Sequence, residues 1–275
     1  MTTPTAPPPP PHPDHASSVP ARTPGLGDAV ASEWTKMRSV RSTMWTLGVM
    51  VLLLLGVGLL TALTVRGADA QLEDEPVLGL GFFGVLLGSI CVITLGVLTI
   101  ASEYGTGMIR TTLTVSPRRS RILIAKSIVF FLLCFSVTTV TTGIVGVLQT
   151  ALLDGAALTG GEWLSATVGV GLYVALLGLL SLALGTVVRH SAGAITLMIA
   201  LVLLPLVLSI FMYTDTLSSV RQALFAYSIP SQLASLYYTP LTSSGPSGWE
   251  SVLILVCVTV VAMGVALASL GRRDV

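Results

Sequence analysis

The sequence predicts an all-α integral membrane protein with six transmembrane helices and with both termini in the cytoplasm. Its composition is 53% hydrophobic and only 10% charged, whereas about a quarter of the residues of a soluble domain are charged. Its apolar residues fall into stretches about as long as the 20 residues that a membrane-spanning helix needs. Basic and acidic connections alternate between these stretches, as they do in multi-spanning proteins whose cytoplasmic loops hold the positive charge.

Six apolar stretches are long enough to cross a bilayer, and we number them as spans one to six in chain order. The third is long enough to tilt or to extend beyond the hydrocarbon. The predicted spans cover residues 44–65, 77–100, 122–153, 163–188, 193–213 and 249–270.

The distribution of Lys and Arg predicts the orientation of these spans. With the N-terminus inside, all of the 14 Lys and Arg residues except Arg66 and Arg221 lie on the cytoplasmic side. The opposite orientation would place nearly all of them outside, against the bias that governs insertion. The three cysteines lie within apolar spans and are predicted to be small buried hydrophobic residues, not disulfides or metal ligands.

The chain before span one divides into two parts. Residues 1–27 are rich in Pro, Thr, Ser and Ala, a composition that favours extended conformations, and we expect a disordered cytoplasmic tail. The membrane domain is expected to cover residues 28–275. Its first part, 28–44, has apolar residues such as Trp34 and Met37 at helical spacing among cations. This pattern predicts an amphipathic helix at the inner membrane interface, with Trp34 at headgroup depth and the cations facing phosphates.

Glycines recur at regular intervals in two spans. Gly84 and Gly88 form a GxxxG pair in span two, and Gly171, Gly178 and Gly185 follow each other at seven-residue spacing in span four. Small residues allow helix backbones to approach closely in lipid. The pattern fits packing within the chain, and it also fits a dimer face or a translocation path.

A long connection, residues 214–248, precedes span six. Apolar residues over 217–227 predict a short amphipathic helix, and Ser228 and Pro230 suit the start of a second helix over 231–238. We expect this pair to lie outside and to cap the bundle.

The connection between spans two and three, residues 101–121, is the most specific part of the sequence. Two glycines within three residues, Gly105 and Gly107, favour a turn after span two. A short helix is predicted over 108–113, and Ser116–Pro117 then suits the start of the next helix. The arginines that follow oppose the dipole of that helix, so anionic lipid or an acidic protein surface must favour them.

Three segments together resemble bacterial ABC type-2 transporter permeases. Residues 32–42, SEWTKMRSVRS, resemble the elbow helix of that family. Residues 103–112, EYGTGMIRTT, followed by SPRR at 116–119, resemble its EYxxGTIRTTL…PRR segment, with Met108 and Ser116 as departures. Residues 227–231, YSIPS, are similar to a YLPS element before its last span. The resemblance covers essentially residues 30–275.

The resemblance implies a working partner. Two permeases, as a homodimer or a heterodimer, would pair with two copies of a separate ABC ATPase that binds ATP and Mg²⁺, in the plasma membrane. The connection between spans two and three would be the coupling helix seated in the ATPase, and the elbow helix would also touch it. The implied coupling residues are Glu103, Tyr104, Met108, Ile109, Arg110, Leu113, Arg118 and Arg119. The implied elbow residues are Glu33, Trp34, Lys36, Arg38 and Arg41.

Other classes of function are separated by what the sequence contains. No GxxxxGK[ST] phosphate loop occurs, so an ATP-driven role needs a partner. No HExxH motif or intramembrane Asp pair occurs, which disfavours an enzyme. The span centres hold essentially no ionisable residues, which disfavours proton coupling and favours a hydrophobic or amphipathic substrate. A secondary carrier and an ATPase-coupled sensor or immunity subunit remain alternatives, and nothing in the net charge of +1 indicates nucleic acid.

Overall fold

The computed structural model describes residues 25–68, 76–105, 119–153, 158–212, 214–241 and 245–272. Within these ranges the chain is helical and contains no strand. Ten α-helices are numbered here in chain order: α1 Leu26–Ser39, α2 Arg41–Gly67, α3 Phe82–Gly105, α4 Arg119–Leu152, α5 Gly160–Leu164, α6 Val170–Val188, α7 Ser191–Phe211, α8 Ser218–Ala226, α9 Ile229–Ser235 and α10 Gly248–Arg272.

The prediction of six membrane-spanning helices is confirmed. Six helical stretches in the described residues are long and apolar enough to cross a bilayer: Arg41–Gly67, Val77–Ala101, Ser120–Leu152, Gly160–Val188, Ser191–Phe211 and Gly248–Leu270. A 3₁₀ turn, Val77–Gly81, leads into α3. A π-helical turn, Ser165–Gly169, joins α5 to α6 within span four.

The first helix is shorter than the sequence pattern suggests. Asp28 accepts a hydrogen bond from the backbone N–H of Gly25 at 2.8 Å, which satisfies one of the free donors at the start of α1. The helix ends at Ser39, because Val40 adopts an extended conformation with φ −79° and ψ 114°. Since α2 begins at Arg41, the expectation of one amphipathic helix running on to residue 44 is wrong at its end. A single residue separates α1 from span one.

Span four is the central helix of the bundle. Its α6 segment packs against α3, α4 and α10, and it is the most buried of the six candidate spans. Its glycines lie where neighbouring helices come close. A Cβ at Gly178 would stand 2.7 Å from Phe130 of α4 and from Val92 of α3, and one at Gly185 would stand 3.3 Å from the Cα of Val97. One at Gly171 would overlap the Thr139 side chain.

Span two contacts its neighbours through glycines on both sides. A Cβ at Gly84 would stand 3.2 Å from the carbonyl oxygen of Leu54 in α2, and one at Gly88 would overlap the Leu54 side chain. On the other side, Gly96 faces the backbone of α6, where a Cβ would stand 2.5 Å from the Gly178 carbonyl oxygen. The glycines that the spacing pattern singled out therefore lie at close helix–helix contacts within the chain, and Gly96 makes a closer backbone approach than any of them.

The two ends of the bundle are built differently. At one end, called the α1 end, α1 packs against the start of α4. The end of α3, the end of α6 and the start of α7 meet at the same end through Val97, Ala101 and Ala194, with Val188 and Ile195 packed against them. At the opposite end, α9 is buried between spans, and the Ser165 hydroxyl donates to the Leu236 carbonyl at 2.8 Å. Ser228 caps α9 by accepting from the Ser231 N–H at 3.3 Å, as the sequence predicts for this position.

Candidate functional site

The site of interest is the contact between α1 and the beginning of α4 at the α1 end. α1 packs mainly against α4 and less extensively against α2. Met37 is buried in the same apolar cluster as Leu123 of α4 and Ile100 of α3. Val30 of α1 also packs against this cluster, so apolar side chains hold α1 on the core formed by the two helices that flank the connection between spans two and three.

An ion cluster lies at the centre of this contact. Glu33 of α1 is only 2% exposed and Lys126 of α4 only 3%. The Lys126 Nζ donates to the Glu33 Oε2 at 2.8 Å. The Lys36 Nζ donates to the other carboxylate oxygen, Oε1, at 2.5 Å, and the Lys36 side chain remains 43% exposed. Each oxygen of one buried carboxylate thus receives a charged hydrogen bond.

Electrostatics in this cluster favour the ionised carboxylate. Burial by itself raises the pKa of Glu33, but the charges and hydrogen bonds of Lys126 and Lys36 outweigh burial and hold that pKa below its ordinary value of 4.5. Near neutral pH Glu33 is therefore a carboxylate. Paired, hydrogen-bonded charges of this kind are tolerated in an interior, while unpaired ones are not.

The sequence did not predict this pairing. A Glu and a Lys three residues apart on a helix are typical of an exposed face, and a Lys near the end of a membrane span ordinarily extends its ammonium towards water. Lys126 is instead buried against Glu33, which is 93 residues away along the chain. The sequence feature that could have indicated a buried ion pair is Lys126 itself, a lone cation inside the apolar stretch that forms span three.

The remaining predicted elbow residues, on α1 and at the start of α2, are exposed. Trp34 is 45% exposed, and Arg38 and Arg41 are also exposed. The rest of the described chain therefore does not bury this face. Trp45, at the start of α2, extends the same aromatic character and is 76% exposed. Aromatic rings beside cations suit the headgroup region of a bilayer.

The predicted coupling residues fall largely outside the described residues. Met108, Ile109, Arg110, Leu113 and Arg118 lie in the segment 106–118, of which the structure describes nothing. The described helices fix where that segment begins and ends. α3 runs through Glu103 and Tyr104 to Gly105, and α4 starts at Arg119. Both ends belong to the α1 end of the bundle, so the segment connects two helices beside the ion cluster.

The connection between spans four and five is also ordered at the α1 end. His190 is exposed, but its Nδ1 accepts a hydrogen bond from the Gly193 N–H at 3.0 Å and so caps α7. Arg189 before it adopts the left-handed conformation, with φ 58°. The imidazole therefore has a structural partner within the helix that it starts.

Most interior hydroxyls of the spans bond to their own helix. The hydroxyls of Thr141 and Thr142 donate to carbonyls one turn earlier, at 2.7 and 2.9 Å, as expected for Thr in apolar helices. Gln149 is different. Its Nε2 donates to the Gly58 carbonyl of span one at 3.2 Å, while its buried Oε1 has no hydrogen-bond partner. The adjoining cavity measures about 10 Å³, room for about one water molecule, which is too small for a transported molecule.

The described residues show no other candidate centre for chemistry. They contain no group of three or more His, Cys, Asp or Glu side chains placed to hold a metal ion. The cysteines are free thiols: Cys134 is buried, Cys91 is half-buried and Cys257 is exposed, so the expectation of burial is wrong for Cys257. The ion cluster at the α1 end is the distinctive polar feature of this part of the chain.

Comparison with known proteins identifies the family. The profile of the ABC-2 family transporter proteins matches residues 29–207, well over half of the chain. This match begins within α1 and runs through spans one to four into span five. No curated protein matches the chain closely enough to be named as a relative. A bundle of six apolar helices with this match is a multi-pass membrane component of a transporter, and the chain belongs to the ABC-2 transporter family.

Proposed function

We propose that this chain is the permease subunit of an ABC exporter and moves small hydrophobic or amphipathic molecules outward across the plasma membrane. The family match over a bundle of six apolar helices carries this proposal. Membership in the family implies association with an ABC ATPase. The sequence has no phosphate loop of the GxxxxGK[ST] type, so ATP hydrolysis belongs to that partner.

The α1 end of the bundle is the cytoplasmic end in this proposal. Arg38 and Arg41 at the junction of α1 and α2 are exposed there, and Arg189 lies at the end of α6. The segment 106–118 contributes Arg110 and Arg118. Positive charge concentrated at one end of a helical bundle marks the side that stays in the cytoplasm. This orientation makes the α1 end the side on which an ATPase is available.

The ATPase docks on the segment 106–118 with help from the exposed face of α1. In this proposal the apolar residues Met108, Ile109 and Leu113 enter a groove of the ATPase, and Arg110 and Arg118 meet acidic residues around it. The support is positional: α3 and α4 deliver both ends of this segment to the bundle end that also carries α1. Two permeases and two ATPases then form the working exporter.

The character of the interior supports the proposed substrate class. In the described spans, the buried charged side chain is Lys126, which is neutralised at the α1 end by Glu33. Beyond it, the buried polar groups are hydroxyls and the Gln149 amide. Proton-coupled carriers use chains of ionisable residues across the membrane, and the described spans do not offer one. An apolar or amphipathic molecule needs no such chain.

The test is association with an ATPase and ATP-driven efflux. The full-length chain is purified from its native membrane in mild detergent, bound proteins are identified by mass spectrometry, and the complex is reconstituted in proteoliposomes with ethidium as the transported probe. We expect a subunit with a phosphate loop to co-purify and ATP to drive ethidium out of the cytoplasmic compartment. Absence of any ATPase, or efflux driven by a proton gradient without ATP, would overturn the proposal.

A pair of variants tests the docking segment. Ile109→Asp combined with Arg110→Glu should abolish ATPase association while leaving membrane insertion intact, because the change puts acidic groups where apolar and basic ones are proposed to bind. Arg221→Glu is the matched control, since it reverses an exposed charge at the opposite end of the bundle. Normal co-purification of the ATPase with the double variant would rule out docking at this segment.

A further inference from the structure

The Glu33–Lys126 pair joins two helices that are far apart in the chain. Glu33 is on α1 and Lys126 is in the second turn of α4, directly after the segment 106–118. Both side chains are almost fully buried, and their atoms are 2.8 Å apart. The contact is therefore a short, dehydrated hydrogen bond between opposite charges.

Stability alone is a poor reason for such a pair. Removing two charges from water costs about as much as their attraction returns, and replacing a buried ion pair with apolar side chains of similar size is often neutral or stabilising. An ion pair differs from an apolar contact in its direction and distance. It fixes one helix against another at a single register, and a shift of a few ångströms would leave a buried charge unpaired.

The geometry around the pair permits one motion of α1, a rotation about Val40, and the ion pair prevents it. α1 is joined to span one by the single extended residue Val40, where a change in backbone angles would swing it as a unit. α4 continues without a break from Arg119 to Leu152, about 50 Å at the rise of an α-helix. A helix of this length carries a displacement of its first turns along the whole span.

We propose that Lys126 is a positioning residue for energy coupling: by holding Glu33, it makes α1 and α4 move as one body when the ATPase pushes on the α1 end. This inference rests on the proposed function, because it needs an ATPase at the segment 106–118. Motion received there passes directly into α4 and, through α1 and Val40, into span one. Without the pair, apolar contacts such as that of Met37 still hold α1 on the bundle but do not fix its register, so α1 can swing at Val40 and that second route is lost.

Lys36 provides an internal control for this idea. It binds the same carboxylate as Lys126, but it does so from α1 itself, and its side chain is 43% exposed. Its ion pair therefore cannot join α1 to α4. Lys36→Met should leave the joint motion unchanged, whereas the loss of the Glu33–Lys126 pair should abolish it.

The experiment measures the distance between α1 and α4 in two nucleotide states. Spin labels are attached at Ser32 and Ile124, which are exposed on α1 and α4, in a chain whose three native cysteines are replaced by Ala. Distances are recorded by pulsed electron resonance for the complex with its ATPase, without nucleotide and after trapping with ATP and vanadate. The variants are Lys36→Met, Lys126→Arg and the apolar pair Glu33→Leu with Lys126→Met, which avoids leaving a buried charge unpaired.

We expect one narrow distance in both nucleotide states for the unmodified pair, for Lys36→Met and for Lys126→Arg. The apolar pair should fold with an unchanged unfolding midpoint but show a distance that shifts on trapping. A shift in the unmodified protein, or no shift in the apolar pair, would overturn the inference. Measurements on the permease without its ATPase distinguish the failure of this inference from the failure of the proposed function. If no ATPase associates, the proposed function fails. The α1–α4 distance distribution of the isolated permease still reports whether the pair fixes α1.

Discussion

Gly96 offers a direct test of how spans two and four are held together. A Cβ added at Gly96 would overlap the Ser181 hydroxyl, and it would stand 2.5 Å from the Gly178 carbonyl oxygen and 3.3 Å from the Leu182 nitrogen. Ordinary contacts of a carbon atom are about 3.5–4.0 Å. Ser181 can change rotamer, but the Gly178 carbonyl belongs to the backbone of α6. Gly96→Ala therefore forces the two helices apart by about 1 Å, and overpacking of this kind costs about 1–3 kcal/mol.

The matched control is Gly143→Ala on α4. No atom outside its own helix lies within 4 Å of a Cβ at that position, so the substitution keeps the roughly 1 kcal/mol gain that Ala has over Gly in a helix. Gly96→Ala has the same gain, so the two variants should differ by the overpacking cost alone, about 1–3 kcal/mol in the free energy of unfolding. At about 2–4 °C per kcal/mol for chains of 150–250 residues, Gly96→Ala should melt roughly 2–12 °C below Gly143→Ala.

Thermal unfolding in detergent, followed by tryptophan fluorescence, measures this difference. The four tryptophans lie in different parts of the chain, so the signal reports on the whole bundle. Equal melting temperatures for the two variants would refute the close approach of α3 and α6 at Gly96, and with it the central place of span four.

Two further predictions concern buried polar side chains. Gln149→Leu should change the free energy of unfolding by less than about 1 kcal/mol, because it removes the unpartnered Oε1 together with the bond to Gly58, whose carbonyl still accepts from Thr61 at 3.0 Å. Gln149→Glu should lower the free energy of unfolding by more than about 3 kcal/mol at neutral pH, since it buries an unpaired carboxylate. Chemical unfolding of both variants measures these changes. Equal effects of the two substitutions would contradict the burial of Gln149 beside Gly58. The Glu33 pKa is held below its ordinary value of 4.5 by Lys126 and Lys36, so the stability of wild type over Glu33→Gln should be constant above pH 4.5 and should shrink as pH falls below it. A difference that vanished between about pH 5 and 7 would refute the pairing.

Hydropathy was enough to predict the six spans, because a bilayer demands about 20 apolar residues whatever the tertiary packing. The start of α9 was also predictable, since the capping role of Ser228 depends only on its neighbours in sequence. The ion cluster was not predictable in this way. Nothing local distinguishes Glu33, beside Lys36, from an acid on a solvated face, and its buried partner Lys126 is brought to it by the fold.

The end of α1 and the start of α7 were also not predictable from local sequence patterns alone. The apolar spacing across residues 34–44 continues through Val40, so periodicity alone joins α1 to the next helix, whereas the chain turns at Val40 and places α1 against α4. The cap at His190 was missed for a different reason. An imidazole is a less common helix cap than Ser, Thr, Asp or Asn, and its hydrogen bond to Gly193 depends on the backbone turn at Arg189.

The separation of Glu33 and Lys126 along the chain also imposes an order on biosynthesis. Lys126 follows Glu33 by 93 residues, which a ribosome adds in roughly 5–20 s. Throughout that interval the carboxylate has no counter-ion from span three and must stay hydrated. α1 therefore remains at the membrane surface, and is not buried, until the third hydrophobic segment has entered the bilayer. The nascent chain therefore closes this end of the molecule late, after half of its membrane crossings are in place.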